Sequence, residues 1–286
     1  MKKENVTVLV MPDIHGRTFW KDAIEKFPKN EYPNLQIIFL GDYLDPYTGW
    51  EPITSKDAYD NFIDLLEYTK DDPRVTLLIG NHDWHYFVNL DTCRLDFNRE
   101  ESIKDIFINN LNRFSLIKLL EFDNIKYMFT HAGITVGWLK SIYNFAKDEI
   151  DKWKTNDEFP IKEKDPKYIW LTEVSKLEET QNYEWVLNEC LKHYNDTFYS
   201  CLPSMVSRER GGWYGYGSLI WADVHEHIYS NELQGYYQIF GHTMTYPTGQ
   251  KDYVISPNGK SWAMIDASQA FIMDVEGNIE PLTNIE

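Results

Sequence analysis

Eight side chains in five short clusters carry the chemistry open to this sequence. They are Asp13 and His15 in Asp13-Ile14-His15-Gly16, Asp42 and Asp45 in Gly41-Asp42-Tyr43-Leu44-Asp45, Asn81 and His82 in Gly80-Asn81-His82-Asp83, His131 in His131-Ala132-Gly133, and His242 in Gly241-His242-Thr243. With Asp83 set aside as peripheral, the inventory is three Asp, four His and one Asn, and no cysteine. Oxygen ligands mixed with imidazole suit hard or borderline divalent ions such as Mn, Fe or Zn. A carboxylate shared between two ions can hold them ~3.5–4 Å apart, the spacing used for in-line attack on phosphorus. The inventory therefore predicts a two-metal hydrolase. Each cluster alone also reads as a turn, since Gly, Asp and Asn are ordinary turn formers. What lifts the metal reading is that all five occur in order, each after an apolar run.

Those apolar runs are the elements that must position the clusters: Val6 to Met11, Leu35 to Leu40, Val75 to Ile79, Lys126 to Thr130 and Tyr236 to Phe240, with a sixth at Ala270 to Val275. Continuous apolar runs of this length predict strands buried on both faces. Helical spacing over Phe19 to Phe27 and Ala58 to Tyr68 makes the N-terminal half alternate β and α. Open α/β sheets carry functional groups in loops beyond the carboxyl ends of their strands, so five such loops can converge on one site. From about 138 to 213 the pattern becomes charged and helical, as in Trp185, Leu187, Cys190, Leu191 and Tyr194. This predicts a mostly helical insertion that rejoins the core through the glycine- and aromatic-rich loop from Glu209 to Gly217.

The ordered series DIHG, GDYLD, GNHD, HAG and GHT resembles the calcineurin-like metallophosphoesterase superfamily, over positions 13 to 243. The GD-x-x-D spacing, the lone HAG and the GHT without a second His are most similar to the branch of phosphoprotein phosphatases and bacterial diadenosine tetraphosphatases. So are Ser218-Leu219-Ile220-Trp221-Ala222-Asp223 and Ile265-Asp266. The resemblance implies an α/β fold, a two-sheet β-sandwich flanked by helices, as a single domain over 1–286 with the helical insertion at 138–213 within it. It implies a phosphatase using two divalent ions. Asp13, His15 and Asp42 would bind the first, and Asp42 would bridge to a second completed by Asn81, His131 and His242. A hydroxide between the ions would be the nucleophile, acidified by coordination. His82 would protonate the leaving oxygen, oriented by Asp45. The expected reaction is phosphomonoester hydrolysis. The alternatives are hydrolysis of a pyrophosphate linkage in a dinucleoside polyphosphate and, from a different class, a non-catalytic metal-binding scaffold.

Two positions depart from the phosphoprotein phosphatases. Where those enzymes place arginines that grip phosphate in a bidentate manner, this chain has Pro46 and Ile79. The candidate replacements are Arg17, Arg208 and Arg210. Asp83 stands where that branch has Glu. Among the other histidines, His85 reads as a hydrogen-bonded surface or supporting residue, His225 and His227 as alternate residues of an exposed strand or turn, and His193 as solvated. Trp213, Tyr214, Tyr216 and Trp221 read first as packing between insertion and sheet, and second as a stacking surface for a base.

Composition bounds the partners. Asp and Glu number 45 against 28 Lys and Arg, a net charge of −17. Duplex binding depends on phosphate neutralisation by Lys and Arg, so a nucleic-acid-coating role is excluded, and an anionic membrane is repelled likewise. The expected partners are a phosphorylated small molecule, a nucleotide or a phosphoprotein. Cys93, Cys190 and Cys201 are too few and scattered for a disulfide framework. No apolar stretch approaches the ~20 residues of a membrane helix, and the N-terminal apolar run is too short for a signal-peptide core. These features predict a soluble cytoplasmic protein.

Overall fold

The computed structural model describes residues 1–88, 94–155, 164–244 and 253–285. Cys93 and positions 156–163 of the expected insertion lie outside the described residues. Two mixed sheets form the frame. The first is built from β1 (Val8–Met11), β2 (Gln36–Phe39), β3 (Val75–Leu78) and β4 (Phe114–Ser115), each parallel to the next. The second is built from β5 (Ile117–Phe122), β6 (Ile125–Thr130), β7 (Tyr237–Phe240), β8 (Val254–Ile255) and β9 (Trp262–Met264) in the order β5-β6-β7-β9-β8, with β5 and β8 antiparallel at its edges. The chain then returns to the first sheet, adding β10 (Phe271–Met273) antiparallel beside β1 and β11 (Ile279–Pro281) antiparallel beside β10 at the edge.

Alternation within each strand explains the apolar runs. Val8, Val10, Ile38, Leu40 and Leu78 point between the sheets and meet Tyr127, Phe129, Ile239, Ala263 and Ile265. Their neighbours Leu9, Met11, Ile37, Phe39, Leu77 and Ile79 face the other way, in the core built with Trp20, Phe27, Phe62 and Leu65. With both faces buried, these strands are mostly apolar, and the buried polar side chain of Gln238 on β7 is satisfied by the Ile134 N–H and carbonyl. Each buried aliphatic side chain contributes about 1.5–3 kcal/mol of transfer free energy. The fold is thus α/β, a two-sheet sandwich flanked by helices, as the resemblance implies.

The helices cover the outer faces. Helices α1 (Phe19–Glu25) and α2 (Ser55–Thr69) lie in the crossovers after β1 and β2. The second starts at a capping box: Thr54 accepts from the Asp57 backbone N–H, and Asp57 accepts from that of Thr54. Its buried stripe is Ala58, Phe62, Leu65 and Leu66. Helix α3 (Asn81–Val88) begins immediately after β3, and α4 (Glu100–Asn109) follows. Residues 136–200 carry α5 (Val136–Thr155), α6 (Pro166–Val174), α7 (Leu177–Thr180), α8 (Tyr183–Lys192) and α9 (Thr197–Ser200). From α8, the side chains of Asn188 and Glu184 accept from the backbone N–H groups of Leu116 and Leu119, 2.7 Å each. They thereby cover the open edge of the second sheet at β5. The short helix α10 (Val224–Tyr229) precedes β7. No helix among the described residues is long and apolar enough to cross a membrane.

Candidate metal centre

Register brings the clusters together. Met11 pairs with Phe39, Phe39 with Leu77 and Phe129 with Ile239, so β1, β2 and β3 end level in one sheet and β6 and β7 in the other. The loops that follow bring Asp13, His15 and Asp42 into one group, and Asp42, His131 and His242 into another, with the ligand atoms of each group within 4.8 Å of one another. Asp42 is common to both. Its Oδ2 lies 3.5 Å from His15 Nε2 and 3.5 Å from His131 Nε2, and its Oδ1 accepts from the His82 backbone N–H at 2.9 Å. Asn81 Oδ1 and His242 Nδ1 stand 2.9 and 3.0 Å from His131 Nε2.

The backbone is bent to make this arrangement. His15, Asp42, Asp45 and His242 all have positive φ, between 43° and 68°. A non-glycine residue held there costs about 1 kcal/mol or more, and such strain persists where the surroundings impose it. Two glycines are fixed by close approach. A Cβ on Gly80 would sit 2.2 Å from Asp42 Oδ1, and one on Gly241 would sit 2.2 Å from Asp13 Oδ1. These two carboxylates can lie where they do only against bare backbone.

The donor set fits cations. His15 Nδ1 donates to the Leu44 carbonyl at 2.8 Å and His131 Nδ1 to the Leu40 carbonyl at 2.9 Å. A carbonyl only accepts, so in the neutral rings Nε2 carries a lone pair, and both Nε2 atoms face Asp42. Burial pushes His15 well below the ordinary histidine range, and does the same to His242, whose Nε2 is buried with no hydrogen-bond partner among the described residues. Lone pairs thus converge with few protons between them, an arrangement a bound cation would stabilise. The carboxylates respond to the same crowding. Burial, reinforced by the Asp42 charge, raises Asp13, and burial with the Asp13 charge raises Asp266 well above the carboxylate range. For Asp42, burial pushes upward but His131, His82 and His15 outweigh it, and the net shift is downward.

His82 stands beside this group, on the first turn of α3. Its Nδ1 meets Asp45 Oδ2 at 2.9 Å, and Asp45 Oδ1 accepts from the Tyr86 hydroxyl at 2.7 Å, one helical turn on. Arg94, which is not among the cations expected from the sequence, donates from Nη2 to His82 Nε2 at 2.7 Å and from Nη1 to the Asp45 carbonyl at 2.8 Å. The other cations differ in availability. Arg17 gives its Nε to Glu51 and Nη1 to the Asp13 carbonyl, and Arg210 pairs with Asp223 at 2.9 Å and donates to Thr243 Oγ1 at 2.6 Å. Arg208 is exposed in the glycine-rich segment.

Several expectations need correction. Asp83 is central, not peripheral: fully buried, it accepts from the backbone N–H groups of Asp42 (2.7 Å), Tyr43 (3.0 Å) and Gly80 (2.9 Å). It ties the second cluster to the third, and because it caps the Gly80 end, the GNHD segment opens a helix instead of a turn. His85 is no surface residue but a supporting one: it is buried between His82 and Trp221, both ring nitrogens lack hydrogen-bond partners among the described residues, and burial pushes it down to about 3. His225 and His227 lie on α10, where His225 pairs with Asp223 and His227 Nε2 bonds the Ala132 carbonyl. Helical twist separates them, so they form no metal pair. Trp213 is 91% exposed and Tyr214 is also exposed, so neither packs the core. Tyr216 does cover Gly137, and Trp221 lies 6.0 Å from the His242 ring.

Asp83 gives a stability prediction. Asp83→Ala leaves three buried N–H groups without acceptors, at about 1–3 kcal/mol each when unsatisfied. Urea unfolding is expected to show a loss of about 3 kcal/mol or more, with a smaller loss for Asp83→Asn, whose amide oxygen still accepts. A loss under about 0.5 kcal/mol, the range of ordinary surface changes, would mean that the carboxylate does not hold these loops.

A family model described as calcineurin-like phosphoesterase matches residues 6–246. A search of curated proteins gives no match. Similar solved structures include a protein serine/threonine phosphatase from Saccharomyces cerevisiae, 14% identical over 95% of this chain and 74% of that one, with a TM-score of 0.43. A cold-active protein-tyrosine phosphatase of a psychrophilic Shewanella species is 13% identical over 96% of this chain and 80% of that one, at 0.40. Phosphopantetheinyl hydrolase from Mycobacterium tuberculosis is 13% identical over 92% and 90%, at 0.31. Likenesses as remote as these add nothing to the family match.

Proposed function

Because the chain belongs to the calcineurin-like phosphoesterase family, we propose that it is a phosphatase of the dinuclear metal type that hydrolyses phosphomonoesters. The observation that carries this reading is Asp42, whose carboxylate is common to two groups of buried ligands while its Oδ1 takes the backbone N–H of His82. Asp13, His15 and Asp42 would hold one divalent ion, and Asp42, Asn81, His131 and His242 the other. Mn, Fe and Zn all suit this donor set. Ions bound there would polarise the phosphoryl oxygens and lower the pKa of a water between them.

The remaining work falls to the chain itself. His82 gives a proton from Nε2 to the departing ester oxygen, while Asp45 accepts the hydrogen bond from Nδ1–H and fixes the ring. Tyr86 occupies the other oxygen of Asp45, so the carboxylate cannot swing away. Arg94 supplies the phosphate grip that Pro46 and Ile79 do not. Its guanidinium lies at the acid, donating to the Asp45 carbonyl and His82 Nε2 and resting over the Tyr47 ring, whereas Arg17 and Arg210 already face carboxylates. Arg94 moves from Nε2 to the phosphate oxygens as substrate arrives, which frees Nε2 for its proton.

The test is hydrolysis of p-nitrophenyl phosphate beside bis-p-nitrophenyl phosphate, in EDTA and with added manganese. The expected result is metal-dependent release from the monoester, faster than from the diester. Preference for the diester would overturn the monoesterase reading. No turnover of either by protein shown to bind its ions would favour a metal-binding scaffold.

A further inference from the structure

The loop after Asp45 leads outward from the site as a short series of rings. Tyr47 stands edge-on to the His15 ring at 4.8 Å and takes the Arg94 guanidinium 3.7 Å from its centroid. Trp50 lies nearly parallel to Tyr47, with centroids 5.7 Å apart and 18° between the planes, yet it is 65% exposed. The loop is held in place: the Tyr47 carbonyl accepts from the N–H groups of Trp50 (2.8 Å) and Glu51 (3.0 Å), and Glu51 takes both of its contacts from Arg17 Nε at 2.9 Å. A single exposed apolar residue is ordinary. Here the ring is anchored and continuous, through Tyr47 and Arg94, with His82.

We propose that Trp50 is the stacking surface for the base of a nucleoside 5′-monophosphate whose phosphate lies against Arg94. This rests on the phosphomonoesterase reading above. The layering selects the substrate class. The leaving oxygen must reach His82 Nε2, and Arg94 and Tyr47 stand between that atom and Trp50. An aryl ring bonded directly to the leaving oxygen ends against Arg94 and Tyr47. A base held off by a ribose reaches the next ring outward, and a bare sugar phosphate has no face to offer. The net charge of −17 disfavours longer polyanions, which need many cationic contacts, and leaves a mononucleotide as the nucleic-acid-derived ligand of choice.

Adenosine 5′-monophosphate and ribose 5-phosphate carry the same phosphate on the same sugar, with and without the base. In manganese-loaded protein, kcat/KM is expected to be about fivefold or more higher for the nucleotide, the low end of what stacking on one aromatic side chain provides. Trp50→Ala is expected to bring that ratio to within about twofold of one, and Trp50→Phe to keep most of it. A ratio near one in the parent protein overturns the proposal, as does a Trp50→Ala variant that lowers both substrates alike. A Trp50-dependent preference for phosphotyrosine over the nucleotide also overturns it, since that puts the aromatic ring on the ester itself. Failure of the phosphatase reading has a separate signature, no turnover of these substrates or of p-nitrophenyl phosphate. Calorimetric binding still decides the platform in that case: tighter binding of the nucleotide than of ribose 5-phosphate, lost in Trp50→Ala, supports it, and equal binding overturns it.

Discussion

Asp42→Asn is expected to weaken metal binding at both positions and to lower kcat/KM on p-nitrophenyl phosphate by about 10³-fold or more, the several kcal/mol that metal polarisation supplies. The substitution keeps the size of the side chain. It removes a buried charge that faces two histidine lone pairs at 3.5 Å, and an amide nitrogen turned toward them would offer protons where the site needs electron pairs. A second readout needs no turnover. Ions that bind only the native state stabilise it by mass action, about 2.7 kcal/mol at a hundredfold excess over Kd. Adding manganese should therefore raise the Tm of the parent protein by several degrees and leave that of Asp42→Asn nearly unchanged. Loss of one ion with full retention of the other would show that Asp42 serves a single position and does not bridge.

The elements legible in the sequence are those buried on both faces. β1, β2, β3, β6 and β7 carry mostly apolar runs because one set of side chains fills the space between the sheets and the other faces the helices. Their ends are marked by residues that chemistry, not packing, requires, so the five clusters can be found before any fold is known. β9 and β5 are harder. The first is only three residues long, and the second mixes Lys118 and Glu121 into an edge whose cover comes from α8.

Within the site, what escapes sequence reading is whatever depends on the backbone of another loop. Asp83 has the composition of a turn, and its three acceptor contacts exist only once Gly80, Asp42 and Tyr43 are in place. Arg94 is one of 28 basic residues, in a stretch with no periodicity, and the fold carries it back to Asp45. A signal for it does exist in retrospect. A phosphate site that lacks cations at Pro46 and Ile79 in a chain of net charge −17 must recruit one from elsewhere, and Arg94 follows the GNHD cluster by only a dozen positions. Trp213 misleads in the opposite direction, since aromatic composition suggests core packing and the glycines around it leave the ring in water.

His82→Asn separates acid catalysis from metal binding. The ring nitrogens of the imidazole go to Asp45 and Arg94, neither of them a proposed metal ligand. Its loss should therefore leave metal content and the manganese-induced Tm shift as in the parent. Turnover should depend on the leaving group. An alkyl phosphate departs as a poor anion and needs its proton in the transition state, so its kcat is expected to fall by about 10²–10⁴-fold, the usual contribution of a positioned acid. Nitrophenolate leaves readily without a proton, and its loss should be at least about tenfold smaller, as Brønsted behaviour requires. Asp45→Asn should follow the same pattern at lower amplitude, because the amide still reaches Nδ1 but no longer stabilises the charged ring. Equal losses on the two leaving groups would remove His82 from proton transfer and assign it to holding phosphate, and a fall in metal content would make it a ligand.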